Sequence, residues 1–254
     1  MLQNAAMHGS DVDVKDREKI LSAVNEGKRV RFLTYSLTDT MERQLDFVIA
    51  AILKKHHHAP LQSTLYSCLK ELVVNATKAN AKRVFFEELG LDINNPEQYR
   101  QGMQQLKGSM SEKWIREYGE KARLKGLETS ITFDHTDDGL RILVLNDTDL
   151  IGADESRIRE KLAEGMSYDD LLSFYMANGD QTEGEGMGLV MNLLLLKGEE
   201  IDPALFRIGT VDGKTMGRIE IPFNANFQSV RGKDPRGWRD RPAEETINLN
   251  FTRS

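Results

Sequence analysis

The sequence has little of the features on which several protein classes depend. Cys68 is the only cysteine among 254 residues, which excludes an intrachain disulfide and a zinc site made of cysteines. The longest apolar runs, at 47–53 and 193–196, are far shorter than the ~20 residues of a membrane-spanning helix. Residues 1–15 do not have the charged and apolar parts of a signal peptide. We therefore expect a cytoplasmic protein with no membrane partner.

The chain also lacks an excess of positive charge. Its 34 lysine and arginine residues are outnumbered by 40 acidic residues, which gives a formal net charge of −6. Such a chain has no general attraction for nucleic acid, which is therefore not expected as a partner. Hydrophobic residues make up 39% of the chain, enough to form a packed core.

Apolar periodicity predicts two helices in the first third of the chain. A helix over 40–54 could be capped by Asp39 and Glu42, and it could pair with a second copy in a homodimer or pack on its own domain. A second apolar stripe runs from Leu65 to Ala76. Beyond Lys78 this helix either continues to Gly90 or gives way to a strand. The polar residues 1–30 are expected to be loosely ordered, with a possible short helix near 16–25.

Two hairpins are predicted in the second half. Their turns are Asp137-Asp138-Gly139 and Asp212-Gly213, each between short runs of strand-forming residues. The polar, helical stretch 90–128 is interpreted as an insertion. The predicted organisation is an N-terminal segment with a helix (1–58), a central domain (59–224) and a polar tail (225–254).

Three polar residues line one side of the second helix. Glu71, Asn75 and Lys78 recur at i, i+4 and i+7, which places them in one stripe. A carboxylate can orient water or a proton, an amide oxygen can bind Mg²⁺, and an ammonium can bind phosphate. The stripe therefore suits a nucleotide–metal site, although an ordinary solvated helix face has the same pattern.

A glycine-rich loop, residues 184–189 (GEGMGL), precedes an apolar helix. Glycines let backbone N–H groups approach an anion, and a helix N-terminus attracts it further, but a flexible loop remains an alternative. The pattern is not the dinucleotide-binding GxGxxG. Residues 209–215 (GTVDGKT) are one residue short of a Walker A loop and lead into a strand, so they are excluded as a phosphate loop.

Two of these segments resemble motifs of one superfamily. Residues 71–81 (ELVVNATKANA) resemble the N box of the GHKL superfamily, which includes DNA gyrase, heat-shock chaperones, sensor histidine kinases and MutL-type repair proteins. Residues 184–194 (GEGMGLVMNLL) are similar to its second glycine box, and the resemblance covers about residues 60–223. It implies an α+β Bergerat fold, a two-layer α/β sandwich with a mixed sheet, here with a helical insertion and an N-terminal helix. ATP and Mg²⁺ would bind under a lid formed by residues 152–183.

The resemblance also implies roles for individual residues. Glu71 would be the general base, Asn75 the Mg²⁺ ligand and Lys78 a phosphate contact. The second glycine box would wrap the phosphates through Gly184, Gly186, Met187, Gly188 and Leu189. Thr215 resembles the threonine that contacts the adenine side through water.

The first glycine box departs from the superfamily pattern, roughly VxDxGxGI, whose aspartate accepts a hydrogen bond from the adenine amino group. Residues 144–151 read VLNDTDLI. Alignment on Val144 and Ile151 places Asn146 at the adenine contact, whereas alignment on the Asp-Thr pair places Asp147 there. The second alignment is slightly preferred, and both stay open.

No histidine has the sequence context of a phosphoacceptor, so a kinase of this type would phosphorylate a separate partner protein. The glycine box resembles that of serine kinases that act as anti-sigma factors, as well as that of sensor kinases. A nucleotide-gated protein-binding module with little or no turnover is the alternative function. An unrelated α/β fold without a nucleotide is the third possibility.

Overall fold

The chain forms a mixed six-stranded sheet with an α+β arrangement. The structure, a computed structural model, describes residues 14–109, 111–178, 186–230 and 243–250. The strands are β1 (Arg29–Thr34), β2 (Thr129–Thr136), β3 (Gly139–Asn146), β4 (Phe206–Val211), β5 (Lys214–Pro222) and β6 (Thr246–Asn250). Their order in the sheet is β4-β5-β3-β2-β1-β6. Strands β1 and β6 are parallel, and the other neighbours are antiparallel.

The helices are α1 (Val14–Asn25), α2 (Asp39–Lys55), α3 (Gln62–Glu88), α4 (Pro96–Leu106), α5 (Glu112–Leu124), α6 (Gly152–Ser167), α7 (Leu171–Asn178) and α8 (Met187–Gly198). Helices α1, α2, α3 and α8 share one hydrophobic core with alternate residues of the strands, such as Val30, Phe133 and Ile219. This packing on one face is compatible with a two-layer sandwich. None of the described helices is both long and apolar enough to cross a membrane.

Helix α3 continues without interruption to Glu88, which resolves the ambiguity beyond Lys78. Its second half carries Phe85 and Phe86, which pack in a separate hydrophobic cluster with Trp114 and Tyr118 of α5. The stretch interpreted as an insertion therefore supplies α4 and α5 to the far end of α3. This packing fixes α4 against the C-terminal half of α3.

Strands β1 and β6 were not predicted from the sequence. β1 lies within the N-terminal segment, where Val30 and Phe32 are buried in the core, and β6 lies within the supposed polar tail. Each residue of β1 from Arg29 to Leu33 pairs with a residue of β6. Parts of both outer segments therefore belong to the central sheet.

Helix α2 differs from the prediction in the residue that caps it, and the structure shows that its apolar face is covered. Thr38 is the N-cap, and its hydroxyl accepts a hydrogen bond from the Met41 backbone N–H at 3.2 Å, in place of the expected Asp39–Glu42 pair. The apolar side of α2 is buried in the main core. The protein's own core therefore covers the helix face that was considered for a homodimer.

Three consecutive histidines, residues 56–58, follow helix α2, and the first of them contacts strand β2. The His56 side chain is buried, and its Nε2 lies 3.0 Å from Nδ1 of His135. Burial, followed by the charge of Lys55, lowers the pKa of His56 below its ordinary value, so the neutral ring is favoured. Across the residues that the structure describes, no group of three or more His, Cys, Asp or Glu side chains is placed to hold a metal ion.

Candidate functional site

A cavity of about 820 Å³ lies between α3, α4, α6, the start of α8 and the ends of β3 and β5. Most of the residues that the sequence analysis selected line it: Glu71, Asn75, Lys78, Asn146, Gly186, Gly188, Leu189 and Thr215. The fold thus brings together four segments that are far apart in sequence. Gly184 lies outside the described residues.

The polar stripe of α3 faces the cavity, as its helical spacing predicts. The Asn75 amide nitrogen donates a hydrogen bond to Glu71 Oε1 at 2.7 Å. This contact spans one helical turn and orients the two side chains relative to each other. It uses the nitrogen of Asn75 and leaves its amide oxygen for a ligand.

The start of α8 approaches Glu71 closely because Gly188 has no side chain. A Cβ at Gly188 would lie well under 3.0 Å from the Glu71 carboxylate, closer than real Cβ atoms come to a neighbour. Gly186, at the N-cap, has a φ of 88°, a left-handed conformation that favours glycine. The glutamate carboxylate therefore lies against a helix N-terminus, where the free N–H groups and the helix dipole favour an anion.

Met187 points elsewhere. It packs beside the hydrophobic cluster of Phe174, Val190 and Leu194, which joins α7 to α8, and it is not among the residues that line the cavity. Of the described residues in the glycine box, Gly186, Gly188 and Leu189 border the cavity.

Asn146 and Asp147, the two candidates for the adenine contact, have different surroundings. The buried Asn146 lines the cavity, and its amide nitrogen donates to Thr148 Oγ1 at 2.6 Å. Its amide oxygen is the atom that remains for a ligand. In Asp147 one carboxylate oxygen accepts from the Glu128 backbone N–H at 2.9 Å, and the other contacts the Lys214 ammonium. Since Asp147 is engaged outside the cavity, the geometry favours Asn146.

Thr215 lies directly opposite Asn146 in the β3–β5 pairing and borders the same cavity. Its hydroxyl donates to the Thr148 backbone oxygen at 2.7 Å. Asn80 of α3, which the sequence analysis missed, adds a further link, because its Oδ1 lies 3.4 Å from both Asn146 Nδ2 and Thr148 Oγ1. The fully buried Asn80 therefore fixes where β3 meets α3.

The cavity is positive although the chain is negative. Seven basic side chains line it: Lys78, Lys82, Arg83, Arg100, Lys107, Arg157 and Lys161. Three acidic side chains line it: Glu71, Asp149 and Asp154. A concave site with one sign of charge in excess concentrates ligands of the opposite sign. Three of the basic side chains pair with carboxylates outside the lining, Arg83 with Glu87, Arg100 with Glu97 and Lys161 with Glu164. The remaining excess of positive charge is small, and it favours an anionic ligand.

A buried ionic network joins α3, α4 and α6 at one wall of the cavity. Asp154 Oδ2 lies 2.5 Å from Lys82 Nζ, and its Oδ1 accepts hydrogen bonds at 2.8 Å from the Tyr99 hydroxyl and from Arg157. Burial raises the pKa of Asp154, but the charge of Lys82 and these contacts outweigh it, so the pKa lies below its usual value.

These residues were not selected from the sequence, although one signal was available. Asp154, Arg157 and Lys161 recur at i, i+3 and i+7, which places them on one face of α6. Arg100, Gln104 and Lys107 of the insertion recur at i, i+4 and i+7, the same spacing as Glu71, Asn75 and Lys78, and they also line the cavity.

Comparison with known proteins gives one informative similarity. No protein-family model matches the chain, and no solved structure matches it. A protein of Treponema pallidum (strain Nichols), described as an uncharacterized protein, is 30% identical over 228 residues, which is 90% of this chain. The chain spans only 44% of that relative's length. The similarity therefore relates most of this chain to part of a longer protein and assigns no activity.

Proposed function

We propose that the chain binds ATP with Mg²⁺ in this cavity, within a Bergerat fold of the GHKL type, and phosphorylates a separate partner protein. One observation carries the proposal. The N-box stripe, the glycine-box helix start, Asn146 and Thr215 lie far apart in the sequence, and all of them border one cavity. An excess of positive charge in that cavity suits a triphosphate.

The residues present suit Mg²⁺ and phosphate. Mg²⁺ is usually bound by one or two protein oxygen atoms, while substrate phosphates and water complete its coordination. The Asn75 amide oxygen is an oxygen donor of this kind, and the Glu71 carboxylate beside it stays available as the general base. Lys78 and the N-terminus of α8 suit the phosphates, whose charge Mg²⁺ would partly neutralise when bound.

The other end of the site suits the adenine ring of a nucleotide. Asn146 offers an amide oxygen, which can accept from the adenine amino group without adding a charge. Leu72, Val144 and Ile208 supply apolar surface to the same cavity. A few polar groups placed among apolar side chains are typical of small-molecule sites.

Calorimetric titration with MgATP tests the proposal. The parent should bind, and Asn75→Ala should bind at least about tenfold more weakly, since one oxygen donor near the phosphates is lost. Asn226→Ala is the matched control, because Asn226 is exposed and does not line the cavity. No binding by the parent would refute the proposal. Equal affinities of the parent and Asn75→Ala would remove Asn75 from the site.

One observation favours the alternative of a nucleotide-gated binding module. Helix α7, in the proposed lid, exposes 68% of Leu172 and 80% of Met176, which lie one helical turn apart. Exposed apolar surface of this kind is often covered by a partner protein. A lid that moves with the nucleotide would move this surface as well.

Glu71→Gln separates the two functions, because it keeps the size of the side chain and removes the base. In a kinase, ADP formation from MgATP should fall by about 10²–10⁴-fold while ATP affinity is retained. In a switch, neither quantity should change much. The readouts are steady-state ADP release and calorimetric ATP affinity for the same preparations.

A further inference from the structure

The orientation of the Asn146 amide decides what the proposed base end of the cavity offers to a ligand. An asparagine side chain has an oxygen that accepts hydrogen bonds and a nitrogen that donates them, and the two point in different directions. Asn146 is buried and lines the cavity. Which of its two atoms faces the cavity therefore depends on the groups that lie behind it.

Asn80, which lies behind Asn146 on α3, has a defined orientation. Its amide nitrogen lies 3.2 Å from the backbone oxygen of Leu127 and 3.1 Å from that of Glu128. Backbone oxygens only accept hydrogen bonds, so the nitrogen of Asn80 must face them. The hydroxyl of Thr129 is on the same side, at 3.3 Å. The amide oxygen of Asn80 is therefore directed towards Asn146.

The amide oxygen of Asn80 in turn needs a donor. Asn80 is fully buried, and the donors at its oxygen are the Asn146 amide nitrogen and the Thr148 hydroxyl, each at 3.4 Å. If the Asn146 amide were reversed, two amide oxygens would face each other in a buried place, at the cost of an unsatisfied acceptor. Asn80 therefore holds the nitrogen of Asn146 inward and leaves its oxygen for the cavity.

Thr148 alone does not impose this orientation. Its hydroxyl accepts from the Asn146 amide nitrogen at 2.6 Å. A hydroxyl can donate as well as accept, so the same contact could form with the oxygen of a reversed Asn146 amide. The orientation is thus passed from the backbone oxygens of Leu127 and Glu128, where the insertion ends, through Asn80 to Asn146.

We propose that Asn80 is a positioning residue that restricts the site to nucleotides whose purine carries an amino group at position 6. This inference rests on the proposed nucleotide site. The Asn146 oxygen can accept a hydrogen bond from a 6-amino group, whereas a 6-oxo group would set two acceptors against each other. A site built to pair with one group rejects an analogue that leaves its buried polar atoms unpaired.

The test compares ATP with inosine triphosphate, which has an oxo group at position 6, by calorimetric titration in the presence of Mg²⁺. The parent should bind ATP at least about tenfold more tightly than inosine triphosphate. In Asn80→Ala the two affinities should come within about threefold of each other, because the Asn146 amide can then turn its nitrogen to the oxo group. A purely structural effect of the substitution would weaken both ligands and leave their ratio unchanged.

Two further variants isolate the role of the Asn80 oxygen. Thr148→Val removes the shorter contact to the same amide, and it should keep the parental ratio because Asn80 still orients Asn146. Asn80→Asp should also keep the ratio. Burial favours the neutral acid, whose hydroxyl can donate to the backbone oxygens while its carbonyl oxygen accepts from Asn146. Thermal unfolding verifies that each variant folds, and Asn80→Ser, whose hydroxyl imposes no orientation, replaces Asn80→Ala if the latter does not.

The outcomes distinguish this inference from the ATP proposal. If the parent binds ATP and inosine triphosphate equally well, the selection at position 6 is wrong and the nucleotide site stands. If the folded Asn80→Ala or Asn80→Ser variant keeps the parental ratio, or if Asn80→Asp loses it, Asn80 does not position Asn146. A ratio that falls in Thr148→Val as far as in Asn80→Ala would also contradict the inference. If neither nucleotide binds the parent, the ATP proposal fails and the inference fails with it.

Discussion

Asp154→Ala should lower the free energy of unfolding by about 3–5 kcal/mol, because it leaves the Lys82 ammonium buried without its carboxylate. Both residues are buried, with side chains only 13% and 11% exposed, and the pair connects α6 to α3. Urea unfolding at neutral pH measures the change. Lys82→Met/Asp154→Leu should recover most of the loss, since it removes both charges and keeps apolar volume.

The neighbouring Glu155→Ala is the control for this substitution. Glu155 lies on the same helix and pairs with Arg159, but both side chains are largely exposed, so a change within about 0.5 kcal/mol is expected. If Asp154→Ala lowered the free energy of unfolding no more than Glu155→Ala does, the ionic network would not stabilise the fold.

The dependence of the free energy of unfolding on pH in the acid range is a second test of the stabilisation by Asp154. The pKa of Asp154 in the folded protein lies below its ordinary value of 3.8, so the unfolded chain takes up the proton first as the pH falls. The stabilisation is thus fully present above that value and is lost as the pH falls through the folded pKa. The difference in the free energy of unfolding between the parent and Asp154→Ala should therefore become smaller below pH 3.8.

Gly188→Ala should weaken ATP binding by about a hundredfold without lowering the stability of the protein. The new Cβ would take the space of the Glu71 carboxylate, which would have to leave the start of α8 and its bond to Asn75. Alanine otherwise favours a helix over glycine by about 1 kcal/mol, which offsets the local overlap. Calorimetric titration with MgATP and urea unfolding measure the two effects on one preparation.

Two comparisons test the cause of that effect. Gly198→Ala, at the other end of α8, meets nothing within 4 Å and should leave ATP affinity unchanged. In a Glu71→Ala background the overlap is gone, so adding Gly188→Ala should cost less than it does in the parent. Unchanged ATP affinity of Gly188→Ala alone would exclude the start of α8 from the nucleotide site.

The elements that could be predicted are those with local signals. The second hairpin turns at Asp212 and Gly213, whose φ values of 49° and 72° suit the Asp-Gly sequence. Strands β1 and β6 have only a weak local signal, a short alternation of polar and apolar residues, and neither is joined to a partner by a hairpin turn. Their partners are distant in sequence, as the pairing of Val30 with Phe133 and Ile247 shows. Their formation depends on the assembled sheet rather than on local preference.

The candidate site was likewise predictable only where its residues have a local sequence signal. Helical spacing places Glu71, Asn75 and Lys78 on one face without any tertiary information. The choice between Asn146 and Asp147 depends on Glu128 and Lys214, which lie 19 and 67 residues from Asp147. The basic residues of α4 and α6 reach the cavity only because α4 packs on the second half of α3 and α6 packs on α8. Local pattern contains no information about such placement.

The position of β1 between β2 and β6 has a consequence for biosynthesis. Because Val30 pairs with Phe133, β1 leaves the ribosome long before its first partner is made. At about 5–20 residues per second, roughly 5–20 s separate the two strands. During this interval Val30 and Phe32 have no sheet to cover them. The nascent chain therefore passes through a stage at which a chaperone that recognises short apolar segments has a defined site of action.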